Sequence, residues 1–187
     1  LNFATLPLLT LMKKSGAQYI NYGIESLNQK ILNSMGKGLT LDQIVSGVEA
    51  TLTQGLSPGL NLLWGFPMNT EKDLKEEVEF LKKYNPGHEL RSLRPPTPYP
   101  GCPLFQKGVE DGLVKDAEDF YENKHKNSDL IGINFTSFPM VEANKMLFEA
   151  NKELVMDFYK KKEGVIINQA EKLYLKGDFS FRGFRDV

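Results

Sequence analysis

Apolar residues along this chain recur at two periods, and the switches between them predict its elements. Leu41, Ile44, Val45, Val48 and Leu52 fall on one face of a 3.6-residue turn. Thr40 and Gln43 stand ahead of them in the T-x-x-Q order of a capping box, and "TQGLSPG" supplies the stop. A second helix is expected from Thr70, with Leu74, Val78 and Leu81 on one face and "NPG" at 85–87 closing it. Residues 7–14 read as a helix with Pro7 in its first turn and Gly16 at its stop. A short helix with Ile31, Leu32 and Met35 on its apolar side is expected to open at Ser26, which stands in S-x-x-Q order with Gln29.

Between these lie strand-like runs at 18–24 ("QYINYGI") and 60–66 ("LNLLWGF"), and a weaker one at 89–94 ("ELRSLR"). Strand, helix, strand, helix, strand at this spacing implies right-handed crossovers and a parallel sheet. The style changes at "PPTPYPG", 95–101. Beyond it come a helix over 102–111, a charged segment, and "IGINFTSFP" as a loop or short strand. A long helix over 141–162 follows, then a tail that reads as helical to Lys176 and irregular after it. The division is therefore an α/β part, 1–100, and a mostly helical C-terminal extension, 101–187.

Strand side chains alternate between faces. Ile20, Tyr22 and Ile24 share one face of the first run, and Asn21, Gly23 and the following Glu25 share the other. In the second run Leu60, Leu62, Trp64 and Phe66 oppose Asn61, Leu63 and Gly65. Each strand thus has a large apolar face for helices to cover and a small polar one with room for something else. Ligands of parallel α/β proteins bind at the carboxyl ends of strands, where Glu25 and Gly65 fall. Two readings stay open. Asn21 and Asn61 are strand-end polar residues with Glu25 a first-turn acid favoured by the helix dipole, or the three share a binding face. Pairing across two strands favours the second.

Composition narrows the partners. The 23 basic and 24 acidic residues nearly cancel, which argues against a nucleic-acid or anionic-membrane binder and for a small-molecule or protein partner. No apolar run approaches the roughly 20 residues of a membrane span, so the protein is expected to be soluble and cytoplasmic. Cys102 is the single cysteine, which rules out an intrachain disulfide or a thiolate cluster made by this chain alone. His88 and His125 lack metal-ligand spacing, and no metal ligand is assigned. The chain opens at Leu1 without Met, and "LNFATLPLLTLMKKSG" reads as the interior of a longer protein.

Four motifs in order, "GIES" at 23–26, Lys37, "NLLWGFP" at 61–67 followed by Thr70, and "TPYPGCPLF" at 97–105, resemble the second half of a radical S-adenosylmethionine enzyme. The best subgroup match is the cobalamin-binding-domain class, similar to the anaerobic magnesium-protoporphyrin ester cyclase. The resemblance runs over about 7–112. It implies an α/β fold that is a fragment of a partial (β/α)6 TIM-like barrel, with strands four to six at 18–24, 60–66 and 89–94. It also implies a nucleotide cofactor site. Glu25, with Ser26 beside it, matches the acid near the nucleoside and methionine. Lys37 matches the base that reaches the methionine carboxylate. Asn61 is the candidate for the ribose, Leu63 for the adenine, and Gly65 for the strand-end motif.

In that family S-adenosylmethionine is cleaved to a 5'-deoxyadenosyl radical by an oxidoreductase or methyltransferase carrying a [4Fe-4S] cluster. Cobalamin is implied through an upstream domain, and the substrate is an unspecified small molecule. The cluster needs cysteines in C-x3-C-x2-C order, which this chain lacks, so alone it is expected to be inactive. Trp64 and Cys102 read as packed side chains, and no catalytic residue is assigned. The alternatives are a non-catalytic half-barrel that binds a nucleotide or a partner, and, among enzymes, a methylthiotransferase or an oxygen-independent coproporphyrinogen oxidase relative. A half-barrel leaves an uncovered face and strand edge, and self-association is the expected remedy.

Overall fold

Proline in its first turn and Gly16 just past its end bracket the first helix, α1, Leu6–Lys14. The structure, a computed structural model, describes residues 4–177. Strand β1, Tyr19–Glu25, follows α1, and the short helix α2, Gln29–Ser34, follows β1. Helix α3, Leu41–Thr53, has the expected capping box, in which the Thr40 hydroxyl accepts from Gln43 N–H while the Gln43 amide oxygen accepts from Thr40 N–H. Strand β2, Ser57–Leu62, leads to α4, Glu71–Lys83, whose box pairs Thr70 with Asp73.

Strands β1 and β2 are parallel, in register from Tyr19 opposite Ser57 to Gly23 opposite Asn61, with a bulge before Glu25 meets Leu62. Three expectations need correction. Strand β2 begins and ends earlier than the apolar run 60–66. Gly55, at φ 66°, turns the chain so that Ser57 N–H donates to Gln18 O at 2.8 Å and pairing starts there. Alternate residues face the same neighbour, so the missing N–H of Pro58 points away from β1 and costs no ladder bond. The second correction concerns 89–94, which forms no strand. It makes one parallel bridge, Leu63 with Arg94, and Trp64 N–H donates to Arg94 O at 2.9 Å. The third is the Ser26 capping box, which does not form: Asn28 caps α2 through its side chain, and Ser26 is buried.

After 95–101 the chain forms α5, Pro103–Glu110, capped by Cys102, whose Sγ accepts from Phe105 N–H at 3.4 Å. The charged segment is a single helical turn, α6, Ala117–Asp119, that runs into a π-helical turn, Phe120–Lys124. The segment "IGINFTSFP" is irregular. The expected long helix and helical tail are one helix, α7, Met140–Lys176, ended by Gly177 at φ 65°. The irregular stretch expected after Gly177 lies outside the described residues.

Ala143, Leu147, Ala150, Leu154 and Phe158 form the buried stripe of α7, and α7 lies against α4. Each large aliphatic residue so buried contributes about 1.5–3 kcal/mol. The main core joins Tyr22, Ile24, Leu60, Leu62 and Trp64 from the apolar sheet face to α3, α4 and this stripe. Phe105, Val114, Phe120 and Ile133 make a second, smaller core. Helices therefore cover one face of the sheet and leave the polar face open. Among the described residues no helix is long and apolar enough to cross a membrane.

Candidate functional site

The open face is built by the alternation seen in the sequence. Tyr22 and Ile24 are buried, Asn21 and Gly23 are exposed, and Glu25 is half-buried at the strand's carboxyl end. On β2, Leu60 and Leu62 are buried while Asn61 is exposed, and Leu63 just beyond is half-buried. Asn21, Glu25, Asn61, Leu63 and Arg91 line a hollow of about 480 Å³ on this face.

Lys37 reaches Glu25 because of how α2 stops. Gly36 takes φ 65°, its N–H donates to Asn33 O, and Lys37 N–H donates to Leu32 O, the two bonds of a Schellman end. Gly38, at φ 62°, turns the chain again toward buried Leu39. Between the two glycines the Lys37 side chain extends over β1. Its ammonium lies 3.0 Å from Glu25 Oε1 and donates to Gly23 O at 3.1 Å. The two side chains keep 31% and 24% of their exposure, so the pair is partly desolvated and still reachable. Gly23 makes the space: a Cβ there would stand 2.9 Å from Glu25 Oε1 and 3.5 Å from Lys37 Nζ. Glu25 itself adopts φ 73°, in the left-handed region that favours glycine.

At the other end of the hollow the Tyr19 ring lies across Gly59, where a Cβ would be 1.9 Å from the phenol oxygen. Burial, followed by the Glu89 carboxylate, pushes the Tyr19 phenol up. Arg91 is buried, with Nη1 donating to Tyr84 O at 3.1 Å and, among the described residues, no hydrogen-bond partner for Nε or Nη2. Burial lowers its pKa, opposed by Glu89.

The structure thus brings Glu25, Lys37, Asn61 and Leu63 to one face, and puts the other two candidates elsewhere. Gly65 lies past the end of β2, buried, at φ 129°; its N–H and that of Phe66 both donate to Asn69 Oδ1, which closes the turn before α4. Ser26 points away from the hollow, and its hydroxyl donates to Glu77 Oε1 at 3.3 Å.

Sequence reasoning missed Asp73 and Glu77, two acids one turn apart beside the apolar stripe of α4, both buried. It also missed Asn144 and Asn151, two turns apart on α7, which hold the backbones of Ile131 and Leu93. The signal was available in both cases, polar residues at helical spacing next to a buried stripe.

Trp64 is fully buried, and its indole N–H donates to Thr70 O at 3.0 Å. His125 stacks on Phe120 at 5.3 Å. Among the described residues no three His, Cys, Asp or Glu side chains group to hold a metal ion.

No family model matches the sequence. The chain is 30% identical over 103 residues to an uncharacterised methyltransferase of Pyrococcus horikoshii, covering 55% of this chain and 22% of that protein. It is 29% identical over 127 residues to the bacteriochlorophyllide d C-12(1)-methyltransferase of Chlorobaculum tepidum, covering 67% and 27%. It is 26% identical over 90 residues to the heme chaperone HemW of Buchnera aphidicola, covering 46% and 24%. The chain spans about a quarter of the length of these curated relatives. The matches support a distant, radical-S-adenosylmethionine-like relationship to enzymes, methyltransferases among them.

Proposed function

We propose that this chain is the C-terminal part of a radical S-adenosylmethionine enzyme and supplies one side of its S-adenosylmethionine site. The observation that carries the reading is the Glu25–Lys37 pair, a partly exposed carboxylate and ammonium 3.0 Å apart at the carboxyl end of β1. The α-amino acid end of S-adenosylmethionine is a zwitterion. Its ammonium can take the place of Lys37 at Glu25 while its carboxylate takes the place of Glu25 at Lys37, so both internal charges stay paired on binding. Asn61 offers an amide to the ribose hydroxyls and Leu63 an apolar surface to the adenine. The cofactor would supply the radical chemistry and these residues its position.

In this reading β1, β2 and the bridged segment 89–94 take the places of strands four to six of a partial barrel. Their parallel order and the parallel bridge between Leu63 and Arg94 support it. A [4Fe-4S] cluster does not fit this chain's residues. Its one thiol, Cys102, caps α5, and cluster ligands would have to come from outside these 187 residues. The chain alone is inactive in this reading, and cobalamin would enter through an upstream domain.

Titrating the chain with S-adenosylhomocysteine, followed by amide NMR, tests the site. Saturable shifts are expected at Gly23, Glu25, Lys37 and Asn61, with affinity at least about tenfold weaker in Lys37→Ala, the scale of one charge-assisted hydrogen bond. Shifts confined to other residues, or unchanged affinity in the variant, reject the assignment.

A further inference from the structure

Glu77 lies at the middle of α4, fully buried, directly behind the turn that follows Glu25. Its Oε1 accepts from the Ser26 hydroxyl at 3.3 Å and from Leu27 N–H at 3.4 Å. Ser26 Oγ in turn accepts from Asn28 N–H at 3.1 Å. One helical turn earlier Asp73 accepts from Asn28 Nδ2 at 2.9 Å, so two acids of α4 grip three consecutive residues. Those residues join Glu25 to α2. A side-chain-bearing residue at φ 73° is strained, and such a conformation persists where its surroundings over-determine it. Here the β1 ladder fixes the chain before Glu25, and the α4 grip fixes it after.

We infer that Glu77 is the positioning residue of this site: by holding Ser26 and Leu27, it keeps Glu25 in the left-handed conformation that presents its carboxylate to Lys37. The role rests on the proposed function only in taking the Glu25–Lys37 pair as the ligand-facing group. Its test needs no ligand, so the two readings fail separately.

The protonation state follows from the surroundings. Burial pushes the Glu77 carboxyl up from 4.5 to about 8, against the lowering effect of the Leu27 and Ser26 hydrogen bonds. The charged groups acting on it, Asp73 and Glu76, are both acidic and raise it further. From the turn after β1 it meets a hydroxyl and an N–H, neither titratable in this range. Among the described residues its Oε2 has no hydrogen-bond partner, so an ionised Glu77 would carry a buried charge with no cation beside it. The two Oε1 hydrogen bonds favour the ionised form but the cost of burial outweighs them, so ionisation draws the carboxylate toward water and carries the grip on Ser26 and Leu27 with it. Glu25 then relaxes toward extended backbone and away from Lys37. Glu77 thus couples the site to pH around 8 without touching a ligand.

The experiment is a pH titration of the uniformly labelled 187-residue chain by carbon-detected NMR, reading side-chain carboxyl and backbone carbonyl carbons. The Glu77 carboxyl carbon is expected to titrate near pH 8, with the Glu25 and Gly23 carbonyl carbons shifting at the same midpoint. Glu77→Gln keeps the size and the acceptor and is expected to hold the low-pH spectrum at all pH values. Glu77→Ala is expected to displace the Glu25 resonances throughout. The inference is overturned if Glu77 titrates in the ordinary carboxylate range, or if Gly23 and Glu25 stay fixed while it titrates near 8. It is also overturned if the Gln variant folds and displaces Glu25 as the Ala variant does. Should neither variant fold, the wild-type titration alone decides.

Discussion

A glycine and two acids decide the geometry at the end of β1, each by a different physical route. Gly23 acts by what it lacks, since a Cβ would crowd the Glu25 carboxylate, 2.9 Å from its Oε1. Glu25 acts through its charge, and Glu77 through the absence of one. The last has a consequence for stability whose sign can be worked out. The folded-state pKa of Glu77, about 8, lies above its ordinary 4.5, so between these values the folded chain holds a proton that the unfolded chain has released. Stability is then greatest below about pH 4.5, falls as pH rises toward 8, and changes no further above it through this group. The slope cannot exceed about 1.4 kcal/mol per pH unit for one proton. Urea unfolding of wild type and Glu77→Gln at a series of pH values checks this. The difference in unfolding free energy between the two should shift steadily in favour of the Gln variant from pH 5 to 8, and parallel curves would refute it.

At the scale of elements, a segment's appearance depends on which group satisfies its backbone. Helices α3 and α4 were legible because their caps and apolar stripes are local, and the structure has both capping boxes. The alternation of β1 was legible for the same reason, and with it the placing of Glu25 and Asn61 on one face. The segment 89–94 read as a strand, yet Leu93 N–H donates to Asn151 Oδ1, and Leu93 O accepts from Asn151 Nδ2, both at 2.9 Å. A side chain 58 residues away replaces the strand neighbour, and no local pattern encodes that. Ser26 misled in a similar way: Glu77 holds its hydroxyl, which accepts from Asn28 N–H ahead of the helix, and the Asn28 side chain is the cap. Asn151→Ala strands two buried backbone groups at about 1–3 kcal/mol each, so a loss of about 2–6 kcal/mol is expected in urea unfolding. Lys152→Ala, at an exposed position of the same helix, should cost under about 0.5 kcal/mol. Equal losses in the two variants would show that Asn151 merely fills a helix position.

At the scale of the whole molecule the sheet is short and one-sided. Helices cover its apolar face, β2 is met on its far side by the Leu63–Arg94 bridge, and β1 has no second strand neighbour among the described residues. Gln18 O faces β2, so by alternation Tyr19, Asn21 and Gly23 direct their backbone groups outward. Lys37 covers that edge at Gly23 O and leaves the Tyr19 and Asn21 positions without a strand partner. A two-stranded sheet with an open edge is a template for a further strand. In the proposed barrel a preceding strand would lie there, and in the isolated chain a second copy can take its place about a two-fold axis. Light scattering should therefore return about twice the 21.2 kDa chain mass at high concentration and approach the monomer on dilution. Asn21→Pro removes an outward donor while sparing the bonds to β2, and should move the equilibrium toward monomer. A monomer mass at every concentration, with no loss of stability, would mean that the edge needs no cover and that the sheet is complete with two strands.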